Sequence, residues 1–325
     1  MGKLVHLGID VAPTKSTLSY ANRHRPAALY EDLFYTALGR FRDEKGLGKR
    51  KRKFRFKNKL LSLDSTTISL CLELFPWAKF RRAKGGVKAH VLLDHDDYMP
   101  SYVLITEARR SDVKMAESFP LNPGSIVAMD RGYNDYALFG QWTERKIYFV
   151  TRLKDNAAYE VLDDGPVPAN RNIKFDQLIQ FTADKARKDC PFPLRRVVVW
   201  DAAGDREIEL LTNLVEFGAS TIAAIYKDRW AIELFFKALK QNLKVKSFVG
   251  TSENALRIQI WTALIAILLL KWMHHLSKAR WSLSNLASML RMNLFTYRDL
   301  NTWLDNPFGT PPLPPDSQQL TLGLA

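Results

Sequence analysis

The chain has 325 residues, of which 46% are hydrophobic and 25% charged, a mixture typical of globular proteins. This composition excludes a wholly disordered chain and a low-complexity fibre. Its 48 Lys and Arg residues outnumber its 34 Asp and Glu residues, and the net charge of +14 favours an anionic partner, above all nucleic acid, over an anionic membrane surface. The two cysteines form no CxxC motif or Cys/His cluster, so we expect neither a disulfide framework nor a zinc site.

No membrane association is predicted. Residues 1–10 contain no long apolar core behind a basic start, so we expect no signal peptide. The longest apolar run, residues 260–270, is too short to span a bilayer and is typical of a buried helix. A reducing, cytoplasmic location is therefore expected.

Residues 1–58 are predicted to form a basic helical segment, with helices over residues 15–22 and 25–42. An apolar stripe on the second helix consists of Leu29, Leu33, Phe34, Leu38 and Phe41. Residues 1–59 hold fifteen Lys and Arg but only five Asp and Glu. Most of this charge lies in one run, the basic block, which consists of Lys49, Arg50, Lys51, Arg52, Lys53, Arg55, Lys57 and Lys59.

The basic block is interpreted as a DNA-contacting segment, because runs of like charge usually mark interaction segments. A solvated linker is the alternative. Phe54 and Phe56 alternate with its cations, which predicts a strand-like end with the aromatic side chains inward. The first candidates for DNA contact are Lys49, Arg50, Lys51, Arg52 and Lys53.

Short strands and helices then alternate along the chain. Strands are predicted over residues 59–70, 87–93, 102–106, 125–129 and 147–151, and helices over residues 111–119 and 134–144. This order predicts an α/β protein with a ribonuclease-H-like core, a mixed sheet flanked by helices. The core is expected to comprise residues 59–153 and 215–250, with an inserted β-rich domain over residues 154–214. A helical C-terminal region over residues 251–304 and a Pro-rich tail over residues 305–325, extended or disordered, are expected to follow.

Two aspartates stand where strands deliver catalytic groups. Asp64 follows apolar residues and precedes small hydroxyl residues within its strand, and Asp130 ends a buried strand. Sites in open α/β sheets gather at the carboxyl ends of strands. A helix N-cap or a turn residue is the alternative for either aspartate alone.

A third acidic residue lies on a predicted helix over residues 226–240. This helix is apolar nearly all round, and at about 100° per residue its charged stripe spans roughly 80°. The stripe consists of Tyr226, Arg229, Glu233, Lys237 and Lys240. One carboxylate among several cations indicates a cleft that holds both a metal ion and phosphates. The alternative is a ladder of salt bridges in which Glu233 pairs with Arg229 and Lys237.

Together, Asp64, Asp130 and Glu233 offer hard oxygen ligands, which suit Mg²⁺ or Mn²⁺ rather than zinc. Two such ions about 4 Å apart can activate a nucleophile and stabilise the leaving oxygen in phosphoryl transfer. The cations on the glutamate helix would then clamp the phosphates beside the scissile one.

These motifs resemble those of the DDE transposases of the insertion-sequence-four family. The family carries its glutamate in a Y-x2-R-x3-E-x6-K signature. All four positions and every gap are matched here by Tyr226, Arg229, Glu233 and Lys240. Residues 63–67, 75–80 and 129–133 are similar to the family as well, and the resemblance runs from about residue 8 to residue 308.

The resemblance implies a metal-dependent cut-and-paste recombinase that uses two divalent ions. In that family, water attack frees a 3′-hydroxyl, which forms a hairpin on the opposite strand. The hairpin is reopened and the free end is joined to target DNA. By match, Asp64, Asp130 and Glu233 are metal ligands, and Tyr226, Arg229 and Lys240 contact the DNA backbone. The expected partners are transposon ends and target DNA, bound by a homodimer in a synaptic complex at a prokaryotic nucleoid.

Two departures from the family affect these expectations. Its members usually carry a helical DNA-binding region before the segment that begins here near Leu7, so residues 1–58 are interpreted as the remnant of a longer region. Relatives also hold a flipped base with a Trp in the inserted domain, where this chain offers Ile208, and Trp200 is the nearest candidate. Two other functions stay open: a nuclease that cuts but does not join, and a truncated DNA-binding remnant without complete transposition activity.

Overall fold

The computed structural model describes residues 9–44, 46–48, 53–81, 84–169, 172–242, 249–296, 298–309 and 311–312. The chain divides into two compact units. The sheet unit is Gly48–Phe236, and the helical unit combines Met1–Leu47 with Lys237–Ala325. The sheet unit therefore contains both the predicted core strands and the segment predicted as a β-rich insertion.

The sheet unit is built on one mixed sheet, as the sequence predicts for an α/β protein. Its strands are β1 (Leu60–Leu70), β2 (Lys79–Arg81), β3 (Lys84–Asp94), β4 (Met99–Glu107), β5 (Ile126–Met129), β6 (Tyr148–Arg152), β7 (Tyr159–Asp164), β8 (Ile173–Phe181), β9 (Leu194–Asp201) and β10 (Arg206–Thr212). Their order is β2-β3-β1-β5-β6-β10-β9-β8-β7, and β4 also pairs with β3. The pairs β1–β5 and β5–β6 are parallel, and the other pairs are antiparallel.

The start of β1 (residues 60–63) and all of β5 are buried on both faces, which explains their apolar runs. Alternate side chains of a strand point to opposite faces. Leu61 and Leu63 accordingly join one core cluster with helix α4, whereas Leu60 joins a second cluster with helix α6. The helices of this unit are α3 (Asp112–Ala116), α4 (Tyr136–Glu144), α5 (Asp184–Asp189), α6 (Ala219–Asp228) and α7 (Ala231–Lys237), the last of which ends at the unit boundary.

The β-rich segment over residues 154–214 continues the main sheet. Strand β10 pairs antiparallel with β6, with Leu211 opposite Thr151, and β9, β8 and β7 extend the sheet from there. Leu210 and Leu211 are both buried, so β10 is an interior strand covered on both faces. Backbone pairing thus connects this segment, through β6, to the strands that carry the candidate aspartates.

The helical unit contains α1 (Lys15–His24), α2 (Ala28–Asp43), α8 (Glu253–Leu276), α9 (Leu283–Asn293) and α10 (Leu300–Asp305). Phe34 and Leu38 of α2 are buried, and the Phe34 ring lies 5.7 Å from that of Trp261 on α8. The predicted stripe is only partly buried, because Leu29 and Leu33 are exposed. The amide group of Asn254 donates to the carbonyl of Arg25 at 2.6 Å, which fixes the start of α2 against α8.

Helix α8 is much longer than the apolar run at its centre. Its 24 residues make it long and apolar enough to cross a membrane, by length and composition alone. Half of its most apolar window is buried inside the protein, and the core helix of a soluble protein passes the same test. Its packing against α2 favours the interpretation as a buried helix.

The end of the basic block differs from the predicted strand. Residues 53–56 form bends, yet Phe54 and Phe56 are half-buried while the cations between and around them are exposed. The two rings stack at 5.1 Å, and Phe56 also lies 5.1 Å from Phe217. The inward aromatic pattern is therefore present without strand pairing, because the rings pack on the α6 side of the sheet. The candidates Lys49, Arg50, Lys51 and Arg52 lie outside the described residues.

Candidate active site

The two candidate aspartates lie side by side on neighbouring parallel strands. Leu63 of β1 is in register with Met129 of β5, so Asp64 and Asp130 are the next residues along the two strands. Asp130 directly follows the carboxyl end of β5, whereas Asp64 lies within β1, which continues to Leu70 beside β3. Functional groups of α/β proteins gather where a strand such as β5 ends. Asp64 is half-buried and Asp130 is exposed.

Both aspartates accept local backbone hydrogen bonds. The backbone N–H of Ser65 donates to Asp64 at 2.7 Å, and that of Arg131 donates to Asp130 at 2.7 Å. Asp130 also caps a 3₁₀ turn over Arg131–Tyr133, so the capping role named as an alternative is present. An N-cap aspartate still has free acceptor positions, since a carboxylate offers about four. Capping therefore leaves Asp130 able to bind a cation.

The helix predicted over residues 226–240 is broken in the structure. Helix α6 ends at Asp228, α7 begins at Ala231, and a π-helical turn follows over Ala238–Asn242. The N–H of Trp230 donates to the carbonyl of Lys227 at 3.4 Å, and that of Ile232 donates to Arg229 at 3.1 Å. These i→i+3 bonds tighten the junction, so a constant step of 100° per residue does not apply across it. The prediction that these residues form one stripe of roughly 80° on a continuous helix is therefore wrong.

The break nevertheless leaves Arg229 beside Glu233. A guanidinium nitrogen of Arg229 donates to Oε1 of Glu233 at 3.0 Å, so the first step of the predicted ladder is present. The guanidinium also lies 5.4 Å from the ring centre of Tyr226. Arg229 is only 9% exposed, and its Nε is buried without a hydrogen-bond partner among the residues that the structure describes. Buried donors are usually paired, so this unpaired Nε sets Arg229 apart from an ordinary structural arginine.

Electrostatics link the three candidate carboxylates. Burial raises the pKa of Asp64 to about 6, against the lowering effects of the Ser65 N–H and of Arg229. The negative charges of Asp130 and Glu233 add to the increase, so both lie close enough to repel Asp64. Burial also raises the pKa of Tyr226, and Asp130 contributes to that increase.

A divalent cation would relieve this repulsion, and the donor set of carboxylate oxygens fits a hard ion. Within the described part of the chain, no three His, Cys, Asp or Glu side chains are placed closely enough to hold one ion together. Arg229 pairs with Glu233 and would compete with a metal ion for this carboxylate. Binding of one ion by all three carboxylates would require a local rearrangement in which Glu233 exchanges or shares this partner.

The raised pKa of Asp64 predicts a pH-dependent gain in stability on its replacement. Between the ordinary value of 3.8 and about 6, the folded protein binds a proton more readily than the unfolded chain. The contribution of this protonation to the stability of the folded protein is complete below about pH 4 and is lost as the pH rises through 6. We expect Asp64→Asn to be more stable than the parent at pH 7, by up to about 3 kcal/mol, and the difference to disappear near pH 4.

Denaturant unfolding without divalent ions at pH 4 and pH 7 measures this difference. Asp155→Asn is the matched control, because the Asp155 side chain is 85% exposed. A gain for Asp64→Asn that is equal at both pH values would contradict the prediction.

The remaining residues predicted to contact DNA differ in their exposure and in their partners. The exposed Lys237 ends α7, and the half-buried Lys240 lies in the π-helical turn. Lys53 forms an ion pair with Asp228, at the end of α6. Trp200 is half-buried near the end of β9, and the Lys174 ammonium lies 5.6 Å from its ring centre.

Several polar residues near the site were missed by sequence reasoning. His95, in the turn after β3, bonds Ser62 of β1 on one side and Asp228 on the other, each at 2.7 Å. Tyr133 is buried, and the pKa of its hydroxyl is raised by burial and by the charges of Asp112 and Asp64. Two signals were available in the sequence: Asp228 is an acidic residue between two members of the signature, and Tyr133 ends the motif over residues 129–133.

The basic block is expected to add salt-dependent, sequence-tolerant affinity for DNA, since neutralised phosphates release counterions. Neutralising residues 49–52 together should flatten the slope of log affinity against log salt by roughly three to four units if all four contact phosphate. The matched variant pair is Lys53→Gln with Lys59→Gln. Lys53 already pairs with Asp228, and Lys59 pairs with Asp94 at 2.6 Å, so this pair should flatten the slope less per residue. Binding titrations at several salt concentrations test this, and an unchanged slope for the four-residue variant would show that the block does not touch DNA.

Sequence comparisons place the chain among transposases. The family model for the transposase DDE domain matches residues 55–269. A protein of Sinorhizobium fredii named as transposase y4zB is 33% identical over 293 residues, which are 89% of this chain and 80% of the relative. A protein of Geobacillus stearothermophilus named as the transposase for insertion sequence element IS5377 is 33% identical over 237 residues, 72% of this chain and 62% of the relative.

A solved structure gives a more distant likeness. The cryo-EM structure of a piggyBac transposase synaptic complex with hairpin DNA covers 77% of this chain and 54% of that chain, at 13% identity and a TM-score of 0.42. The assignment therefore depends on the family model and the sequence relatives. Family members are enzymes that act on DNA with divalent metal ions. The matched region contains both aspartates and the glutamate, and the chain belongs to the DDE transposase family.

Proposed function

We propose that this transposase cuts DNA at transposon ends and joins the freed ends to target DNA, at a site formed by Asp64, Asp130 and Glu233. The observation that carries this proposal is the electrostatic coupling of the three carboxylates, two of which lie side by side on parallel strands. The order of β3, β1, β5 and β6 supports a ribonuclease-H-like core, with antiparallel pairing on one side of β1 and parallel pairing on the other.

The three carboxylates would hold Mg²⁺ or Mn²⁺, as two ions, which would supply charge stabilisation and a more acidic nucleophile. Arg229 has two tasks in this scheme. It neutralises part of the negative charge of the carboxylates, and its guanidinium group can donate to a phosphate oxygen of the bound strand once Glu233 turns to a metal ion. Tyr226 supports the guanidinium with its ring face.

The proposed reaction has four phosphoryl-transfer steps. Water attacks a phosphodiester at the transposon end and releases a 3′-hydroxyl. That hydroxyl attacks the opposite strand, which forms a hairpin end and frees the flanking DNA. A second water opens the hairpin, and the regenerated 3′-hydroxyl attacks a phosphodiester of the target. A homodimer that holds both ends in one synaptic complex would allow paired joining.

A strand-transfer assay with pre-cut ends tests joining separately from cutting. Ends that carry a 3′-hydroxyl should be joined to target DNA in Mg²⁺, whereas matched 3′-deoxy ends should not. The control protein is Asp64→Asn, which should bind both ends and join neither. Cleavage of uncut ends without joining of pre-cut ends would show a nuclease, and binding without either reaction would show a DNA-binding remnant.

A further inference from the structure

A chain of short hydrogen bonds runs beside the candidate active site. The hydroxyl of Ser62 lies 2.7 Å from Nε2 of His95, and Nδ1 of His95 lies 2.7 Å from a carboxylate oxygen of Asp228. Lys53 forms an ion pair with the other oxygen of Asp228. An ionised carboxylate only accepts hydrogen bonds, so Nδ1 of His95 must donate to Asp228 and Nε2 remains for Ser62. We call these four residues the relay.

Ser, His and Asp side chains are hydrogen-bonded in the same order in the catalytic triads of hydrolases. The burial of the relay excludes nucleophilic catalysis by Ser62. Ser62 is fully buried, and the side chain of His95 is 5% exposed, so no substrate reaches the serine oxygen. A nucleophile must be within reach of the atom that it attacks. The relay is therefore suited to holding protein elements in place.

The relay connects the elements that carry the carboxylates. Ser62 lies two residues before Asp64, on the same face of β1. Asp228 is the last residue of α6 and directly precedes Arg229, the partner of Glu233. The junction between α6 and α7 is the point where regular helical bonding is lost, so it needs support from outside the helix.

Two features strengthen the contact at Asp228. Burial raises the pKa of this carboxyl, but the hydrogen bonds from His95 and Lys53 outweigh that effect and hold the pKa below its usual value. Tyr98, in the same turn as His95, has a left-handed backbone with φ of 55°. Its hydroxyl lies 3.5 Å from Asp228, and its ring lies 5.5 Å from that of His95.

We propose that the relay of Ser62, His95, Asp228 and Lys53 positions the α6–α7 junction against β1, so that Arg229 and Glu233 are aligned with Asp64 for metal and phosphate binding. These are positioning residues, which act through Arg229 and Glu233. Lys53 also couples the basic block to the site, because this residue of the block contacts Asp228 directly. This inference rests on the proposed function for its catalytic consequence, but the alignment itself is a property of the protein alone.

The first experiment measures backbone hydrogen exchange over residues 226–237 in the metal-free and DNA-free protein. Asp228→Asn and His95→Phe should speed exchange there by about three- to tenfold, the range expected for the loss of one or two hydrogen bonds. The matched control is Glu209→Gln, which weakens the pair with Arg196 (2.8 Å) between β10 and β9, on the sheet face opposite α6. That variant should leave exchange over residues 226–237 unchanged.

The second experiment measures Mn²⁺ binding by electron paramagnetic resonance and the Mg²⁺ concentration for half-maximal cleavage. Asp228→Asn should weaken both by about tenfold or more, the usual cost of losing a residue that orients metal ligands. Lys53→Met, which changes a side chain that is 58% exposed, should give a smaller loss without a folding defect, and Lys53→Arg should restore it.

The outcomes separate this inference from the proposed function. Unchanged exchange over residues 226–237 in Asp228→Asn, or equal acceleration in Glu209→Gln, would overturn the relay. An unchanged metal requirement in Asp228→Asn and Lys53→Met would do the same. Asp64→Asn should abolish cleavage yet leave exchange over residues 226–237 slow, so an error in the catalytic assignment would leave the relay result intact.

Discussion

Asp64→Asn, Asp130→Asn and Glu233→Gln are each expected to lower strand cleavage by about 10²–10³-fold or more, while DNA affinity changes little. The magnitude is that found on removal of one preorganised electrostatic group from an active site. Each substitution keeps the size of the side chain but removes the negative charge that a divalent cation requires. Cleavage of a labelled transposon end in Mg²⁺ measures the first effect, and a binding titration measures the second.

A matched control excludes a general effect of losing one carboxylate. Glu209 lies on β10 and pairs with Arg196 of β9 at 2.8 Å, which is a contact within the extended part of the sheet. Glu209→Gln should therefore retain near-normal cleavage. Near-normal cleavage by any one of the three site variants would remove that residue from the catalytic assignment.

Arg229→Ala and Lys240→Ala are expected to reduce hairpin formation and opening by about ten- to hundredfold, with a smaller loss of first-strand nicking. The reason is that the distorted end needs additional phosphate contacts, and hydrogen bonds to charged groups contribute on this scale. Arg229→Lys is the matched variant, since it keeps the charge but loses the planar fork of donors. Nicking and hairpin yields on the same labelled substrate measure the effect.

The alternative to a phosphate clamp is that Arg229 only pairs with Glu233, and this alternative predicts a different result. If Arg229 acts only as the partner of Glu233, Arg229→Ala weakens metal binding and slows every step alike. A Mg²⁺ titration distinguishes the two cases. Rescue of nicking and hairpin steps together by excess Mg²⁺ would reject the clamp and leave the salt bridge as the role of Arg229.

The neighbouring strands of the site could be predicted because their signals are local. Apolar runs that precede Asp64 and Asp130 indicate buried strands, and parallel pairing of these two strands places the aspartates side by side. The break at Arg229 could not be predicted, because the apolar residues of 226–240 follow one continuous helical pattern. The i→i+3 bonds at the junction do not change that pattern. The contact between His95 and Asp228 joins residues separated by 133 positions, and only the tertiary fold reveals it.

The extent of the sheet could not be predicted from the sequence either. Residues 154–214 have the strands and turns of an independent β domain, and nothing local indicates that β10 pairs with β6. Antiparallel pairing between distant segments depends on which edge is available when they meet. The pattern therefore predicted the strands but not their place in the sheet.

The two segments that form the helical unit are far apart in the chain, which affects the order in which the protein can fold during synthesis. Phe34 and Leu38 of α2 leave the ribosome more than 200 residues before α8, which covers Phe34 through Trp261. All strands of the sheet unit emerge before α8, and domains generally fold as units during synthesis. A nascent chain interrupted after residue 236 would thus contain every strand of the sheet and all three candidate carboxylates, while α2 would still expose its apolar face and be open to chaperones and proteases.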